Sequence, residues 1–270
     1  MDLTAVTTAL TGLTYPLLVA TSVAMARAMG MIMLTPAFTR LGLTGMIRSA
    51  VAFAISLPVV PGLFVDLQGM GTPSVLGLSG LVAKELAVGA VIGLIFGIPF
   101  WAAEVAGELI DLQRGSTMSQ LVDPLSAGES SVTSTFLSIA MVALFFMSGG
   151  FLFLLDGLYG SYGLWPAGAM MPVMNAATAE AMLSVLDRIL QVGLVLVSPI
   201  VIAILITDVM MAFLSRMAPQ LHIFDLSLAV KNLLYSALIT VYVVFLTPLM
   251  FQQVMALDGR LEMLRRLVLP

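Results

Sequence analysis

Cysteine is absent from this 270-residue chain, histidine occurs once, and charged residues make up only 10% of it. Without thiols there is no disulfide, no thiol nucleophile and no thiolate metal site. With His222 as the sole imidazole, an all-histidine metal site is impossible within one copy, and a lone histidine reads as a hydrogen-bonded loop residue before it reads as a catalyst. No HExxH, P-loop or GxSxG pattern occurs, so hydrolase, metalloprotease and nucleotide-driven pump chemistry find no motif. Nothing argues for an enzyme, and no cofactor or metal is expected. The 11 basic residues are spread along the chain and leave no nucleic-acid footprint. The amino terminus, MDLTAVTTAL, lacks the basic region of a secretory signal, so the whole chain is expected in the mature protein.

What the chain has is apolar surface: 60% of its residues are hydrophobic, and mean hydropathy is +1.10. Soluble domains carry roughly a quarter charged residues, so insertion in a membrane or a membrane-bound assembly is expected. Six apolar stretches reach membrane length, at Tyr15–Leu34, Ser49–Val65, Val75–Trp101, Val132–Leu155, Ile189–Leu214 and Leu233–Phe251. Turn chemistry separates them at Thr35-Pro36, Pro61-Gly62, Gly71-Thr72-Pro73, Trp165-Pro166 and Ala218-Pro219. The expected fold is all-α and polytopic: mostly hydrophobic helical hairpins with long helices kinked at Pro99, Pro199 and Pro248. No linker divides residues 1–270, which read as a single domain ending in a short basic tail over 256–270. Basic residues do not orient it. Arg40, Arg48, Arg114, Arg216 and Lys231 on one side are balanced by Arg188, Arg260, Arg265 and Arg266 on the other.

A polar island from Glu104 to Ser131 interrupts this apolar sequence. Such a segment must be sheltered by protein or face water, which points to a passage or a gate. Glu104, Glu108 and Asp111 fall at i, i+4 and i+7 and share one helix face. Like charges at that spacing repel, so the face needs water or basic partners, among which Arg114 is nearest in sequence. A solvated helix end and a proton relay both fit the pattern. The loop that follows is rich in Gly and Ser and carries Asp123-Pro124, which forces Asp123 out of helical geometry. A plain interhelical loop would serve, but apolar Met118, Leu121 and Val122 suit packing into a constriction.

Further features lie inside the apolar stretches. Gly89, Gly93 and Gly97 recur every fourth residue and make one smooth helix face for close packing, within the chain or between subunits. Arg27, Lys84 and Glu85 are intramembrane charges, each costing at least ~2.5–3.5 kcal/mol at a bilayer centre. Arg27 with Glu85 is a candidate pair, whereas Lys84 and Glu85, adjacent on a helix, point about 100° apart and do not face one another. The three read as buried ion-paired glue or as pathway lining. Met25, Met29 and Met33 form a stripe fit for core packing or a compliant seal.

Taken in order, several segments resemble one family. They are Arg27-Ala-Met-Gly30 through Thr35-Pro36-Ala-Phe38, Arg48 before a helix ending at Pro58, and Lys84-Glu85 with Gly89 and Gly93. The run AGELIDLQRGSTMSQLVDP at Ala106–Pro124 is the most specific, and Ser215-Arg216-Met217-Ala218-Pro219-Gln220-Leu221, Ile223-Phe224 and Lys231 complete the set. Together, over about residues 20–255, they resemble the inner-membrane export-gate component of type III secretion, the SpaR/YscT/FliR family. The resemblance implies a noncatalytic, multi-pass subunit of the bacterial inner membrane, integrated into a larger helical assembly through which unfolded substrates pass. It implies the sister R-type and S-type membrane subunits as partners, with the autocleaving switch subunit and the export gate of the same apparatus. It assigns pore lining and plugging to Gln113, Arg114, Gly115, Ser116, Asp123 and Pro124. Arg114 and Lys231 resemble the injectisome branch, associated with virulence, more than the flagellar one. A secondary transporter remains the alternative of another class. It predicts an internal repeat, and neither the glycine pattern nor the carboxylate face has a second copy.

Overall fold

The computed structural model describes residues 3–68, 74–116, 131–169, 176–218, 220 and 223–259. Among them every regular element is a helix: α1 Leu3–Leu34, α2 Pro36–Arg40, α3 Gly45–Ser56, α4 Val60–Gln68, α5 Val75–Gln113, α6 Val132–Met147, α7 Gly150–Leu164, α8 Ala176–Met217 and α9 Ile223–Met255. Four helices are long and apolar enough to cross a membrane, or up to six spans if two broken helix pairs each count as one. The protein is thus an all-α, polytopic membrane protein. Pro16, Pro99, Pro199 and Pro248 all lie inside continuous helices. Proline removes one backbone bond, and in membrane helices neighbouring groups make up for that loss.

The breaks fall elsewhere. Thr35 closes α1, its amide and hydroxyl both donating to the Met31 carbonyl at 3.0 and 2.8 Å, and Pro36 then opens α2. The apolar run over residues 49–65 is split into α3 and α4, which meet at 70°. The run expected to continue through Leu155 ends at Met147, because Gly149 adopts φ 81° and stops the helix.

The chain forms two compact units interleaved in sequence. One comprises Met1–Gly97, Gly149–Val185 and Leu257–Pro270, the other Ile98–Ser148 and Leu186–Ala256. In the first, Val19, Ala20, Val23 and Ala24 of α1 bury against Val60, Leu63 and Leu67 of α4, Leu81 of α5 and Ala167. In the second, α6 packs on α9, and Phe145 sits edge-on to Phe100 with ring centroids 5.2 Å apart. The apolar window of α9 is only 11% buried by this chain, against 67% for α5.

Candidate functional site

The site in the second unit is built where α5 ends. Gly115 lies at φ 77°, a left-handed conformation that costs glycine nothing. Its amide donates to the Leu112 carbonyl at 3.2 Å, and the Ser116 amide donates to the Asp111 carbonyl at 3.1 Å. These two bonds are a Schellman cap, which satisfies carbonyls that the helix end leaves without partners. Lys231 of α9 adds a third closure, donating to the Gln113 carbonyl at 3.0 Å while pairing with Asp208 at 3.0 Å. A cation at a helix C-terminus also meets the negative end of the helix dipole.

Asp111 is the centre of this end. Its carboxylate is 1% exposed, yet every acceptor position is used. One oxygen accepts from Arg114 Nε at 2.7 Å and from the Thr133 hydroxyl at 2.5 Å; the other accepts from the Ser131 hydroxyl and from the Thr133 amide at 3.1 Å. A carboxylate offers about four such positions, so the buried charge is fully compensated. Ser131 is also the N-cap of α6, accepting from the Ser134 amide at 3.0 Å. Asp111 therefore caps α6 from another helix, placing a negative charge at the positive end of its dipole.

The network reaches α9. Arg114 Nη1 donates to Asn232 Oδ1 at 3.0 Å, and its guanidinium lies 4.6 Å from the centre of the Tyr235 ring. Because the Thr133 hydroxyl already donates to Asp111, the Tyr235 hydroxyl is the donor in their 2.9 Å bond. The ends of α5, α6 and α9 thus meet on one carboxylate. Close approach makes this possible: a methyl at Gly107, one turn before Asp111, would collide with the backbone of Thr133 and Ser134.

The predicted carboxylate face is not uniform. Asp111 is buried, Glu104 half-buried and Glu108 exposed. Of the predicted pore residues, Gln113, Arg114, Gly115 and Ser116 lie at this helix end, whereas Asp123 and Pro124, like His222, fall outside the described residues. The sequence reading missed Ser131, Thr133, Asn232 and Tyr235. The available signals were the Ser-x-x-Ser start of α6, and polar Lys231, Asn232 and Tyr235 within about one turn of an otherwise apolar helix.

The first unit holds a second charged cluster. Arg27 is fully buried: its Nε pairs with Glu85, Nη1 donates to the Ser161 hydroxyl at 2.8 Å and Nη2 to the Trp165 carbonyl at 2.7 Å. Its guanidinium lies 3.7 Å from the centre of the Tyr162 ring. Lys84 donates to the carbonyls of Pro166, Ala167 and Ala169 at 3.1, 2.9 and 3.0 Å. It also approaches Glu85 Oε1 to 2.5 Å, an ion pair whose angles are not those of a hydrogen bond. The expectation that adjacent Lys84 and Glu85 do not face each other is corrected here. Directions at Cβ differ by 100°, but lysine's four-carbon stem lets the ammonium swing back. Gly89 and Gly93 face α1: side chains there would meet the Arg27 and Met31 carbonyls, and one at Gly30 would meet that of Leu86. Their close packing is within the chain, and Gly97 is buried as well. Met25 and Met29 are half-buried and Met33 exposed, so the stripe is not core. Among the described residues, no group of three His, Asp or Glu could hold a metal ion.

Comparison with known proteins adds a family. A profile described as bacterial export proteins, family 1, matches residues 18–257. Yop proteins translocation protein T of Yersinia pestis is 32% identical over 231 residues, 85% of either chain. Surface presentation of antigens protein SpaR of Salmonella typhimurium is 32% identical over 192 residues, 70% of either chain. Flagellar biosynthetic protein FliR of Pectobacterium carotovorum is 30% identical over 198 residues, 73% of this chain and 74% of that one.

Proposed function

This chain belongs to the bacterial export proteins, family 1, a family of type III secretion and flagellar export components of the inner membrane, and from that premise we propose that it is a noncatalytic subunit of a type III secretion export gate. In this reading it helps to form the pore through which unfolded proteins leave the cell. The observation that carries it is a family match over 18–257 that takes in the whole polar junction of Asp111, Arg114, Ser131, Thr133 and Tyr235. Residues Gln113–Ser116, with Asp123 and Pro124, are assigned to the pore-lining and plugging segment. The R-type and S-type subunits, the autocleaving switch subunit and the export gate are the proposed partners. The poorly covered apolar length of α9 accords with contacts beyond this chain, to lipid or to neighbours.

Within the family we favour the injectisome branch. The translocation and antigen-presentation relatives reach 32% identity, the first over 85% of the chain, against 30% over 73% for the flagellar relative, so the margin is small and the branch rests on Arg114 and Lys231. Arg114 and Lys231, the residues that favoured this branch, sit in one network around the end of α5. The test is mass spectrometry of culture supernatants from a deletion strain and its parent. Loss of a set of secreted proteins, with flagellin still exported and complementation restoring the set, is expected. Loss of flagellin instead would move the chain to the flagellar branch. An unchanged supernatant under secreting conditions would overturn the export reading.

A further inference from the structure

We propose that Asp111 is a positioning residue of the gate, a charged latch that fixes where the chain leaves α5 against where it enters α6; this rests on the gate function proposed above. The argument begins with what the carboxylate joins. Its four donors come from both sides of a gap in sequence, Arg114 from the end of α5 and Ser131 and Thr133 from the start of α6. Residues 114 and 131 are thereby held to one side chain, while Ser116 is held to the backbone carbonyl of the same residue, and the separation and bearing of the two ends follow from it.

Two observations favour a dedicated latch over incidental packing. A buried charge is tolerated only when its hydrogen bonds are complete, and here they are complete without water, with Asp111 1% exposed. Apolar packing could have joined these helices at no such risk, as Phe100 and Phe145 do elsewhere in the same unit. Second, the latch is itself braced. Arg114 is held by Asn232 and the Tyr235 ring, and Thr133 by the Tyr235 hydroxyl, so α9 fixes the partners that hold the carboxylate. If the charge is removed by Asp111→Asn, Arg114 loses its counter-ion, and the single amide oxygen replaces only one of the two carboxylate oxygens that serve the Thr133 amide and hydroxyl, the other donor then facing an NH2 group. Each is then free to turn elsewhere. Charge-assisted bonds are shorter, stronger and more directional than neutral ones, so they fix the bearing of the two ends more closely than apolar packing does.

The natural absence of cysteine makes the test direct. Leu112 and Val132 flank the latch and are 64% and 76% exposed. Leu112→Cys with Val132→Cys gives a unique pair for nitroxide labels or a short bismaleimide bridge, read in the assembled secretion complex. Asp111→Asn, nearly isosteric, is expected to shift the latched-to-unlatched ratio by roughly tenfold to hundredfold, the scale of one lost charge-assisted bond. That appears as a broadened inter-label distance, accompanied by ion leakage through cells whose apparatus is idle. Bridging the two cysteines in the Asp111→Asn background is expected to suppress the leak, which a merely destabilised protein would not show. A broadened distance with no leak and normal secretion overturns the latch while leaving the gate function standing, as does an unchanged distance. A broadened distance in a protein whose deletion alters no secretion overturns both. Should Asp111→Asn fail to accumulate, Thr133→Val removes one hydroxyl from the same carboxylate and must show the same changes at smaller size. Their absence in that variant overturns the proposal.

Discussion

Replacing Glu85 by leucine should destabilise the first unit more than replacing Arg27 by methionine, and the two changes should not add. Arg27 and Glu85 are 0% exposed and Lys84 is 7% exposed. Glu85→Leu keeps the volume and most hydrogen bonds. Arg27 still has Ser161, the Trp165 carbonyl and the Tyr162 ring, and Lys84 still has three carbonyls. What disappears is, among the described residues, the only negative charge paired with these two buried cations. Removing one partner of a buried pair costs about 3–5 kcal/mol. The surviving ring contact, worth about 2 kcal/mol when desolvated, puts the expectation near the lower end.

A cost of about 3 kcal/mol lowers the folded-to-unfolded ratio roughly hundredfold. Arg27→Met instead leaves Glu85 its charge partner in Lys84, but it orphans the Trp165 carbonyl and removes the Arg27 hydrogen bond from Glu85. The Lys84 ammonium, 2.5 Å from the carboxylate, can make good the second loss by turning an N–H onto it, so the cost stays at about 1–3 kcal/mol. Ser161 is less affected, since its hydroxyl donates to the Leu158 carbonyl at 2.6 Å. In the double variant the uncompensated guanidinium is gone, so the combined cost should fall short of the sum by about 1–2 kcal/mol, within the range for contacting residues. The assay is membrane accumulation, together with the fraction of detergent-solubilised protein that stays monodisperse after heating. The reasoning is refuted if Arg27→Met is as damaging as Glu85→Leu, or if the double variant equals the sum.

Two further substitutions probe backbone rather than charge. Gly89→Ala should sharply reduce accumulation, because the new methyl meets the Arg27 carbonyl, and backbone cannot swing aside as a side chain can; Gly80→Ala on the same helix, with open space around it, should be silent in the same immunoblot. Gly115→Asp should make the gate leak ions, since φ 77° costs a residue with a Cβ about 1–2 kcal/mol and adds bulk and charge to the proposed seal. Gly115→Asn should be milder than Gly115→Ala if the helix cap is the cause, because asparagine is the usual substitute there. Unchanged conductance and secretion from normally accumulating Gly115→Asp protein would count against both readings.

The helices were legible because long apolar runs admit few alternatives in a membrane: with backbone groups obliged to bond internally, α1, α5, α8 and α9 follow from the runs themselves. Their ends were less so. The prolines at 99, 199 and 248 lie inside long helices as expected, while the stop at Gly149 depends on one left-handed residue that a run of hydrophobic side chains conceals. The pairing of Arg27 with Glu85 could be suggested because a buried guanidinium requires an acidic partner and the chain offers few. The reach of Lys84 could not, since it depends on side-chain torsions and on carbonyls more than 80 residues away.

The same distinction explains what was seen and missed at the end of α5. Helical spacing put Glu104, Glu108 and Asp111 on one face, but spacing cannot say which of them is dry. Beside Asp111 stand Gly107, whose missing side chain lets α6 approach the turn holding Asp111, and hydroxyls some 20 residues further on. If that is the cause, the burial of Asp111 is a property of the helix crossing and not of its own sequence neighbours. Charge at this site is then a consequence of geometry set one turn earlier, which is why a reading confined to the charged residues marked the segment without finding its partners.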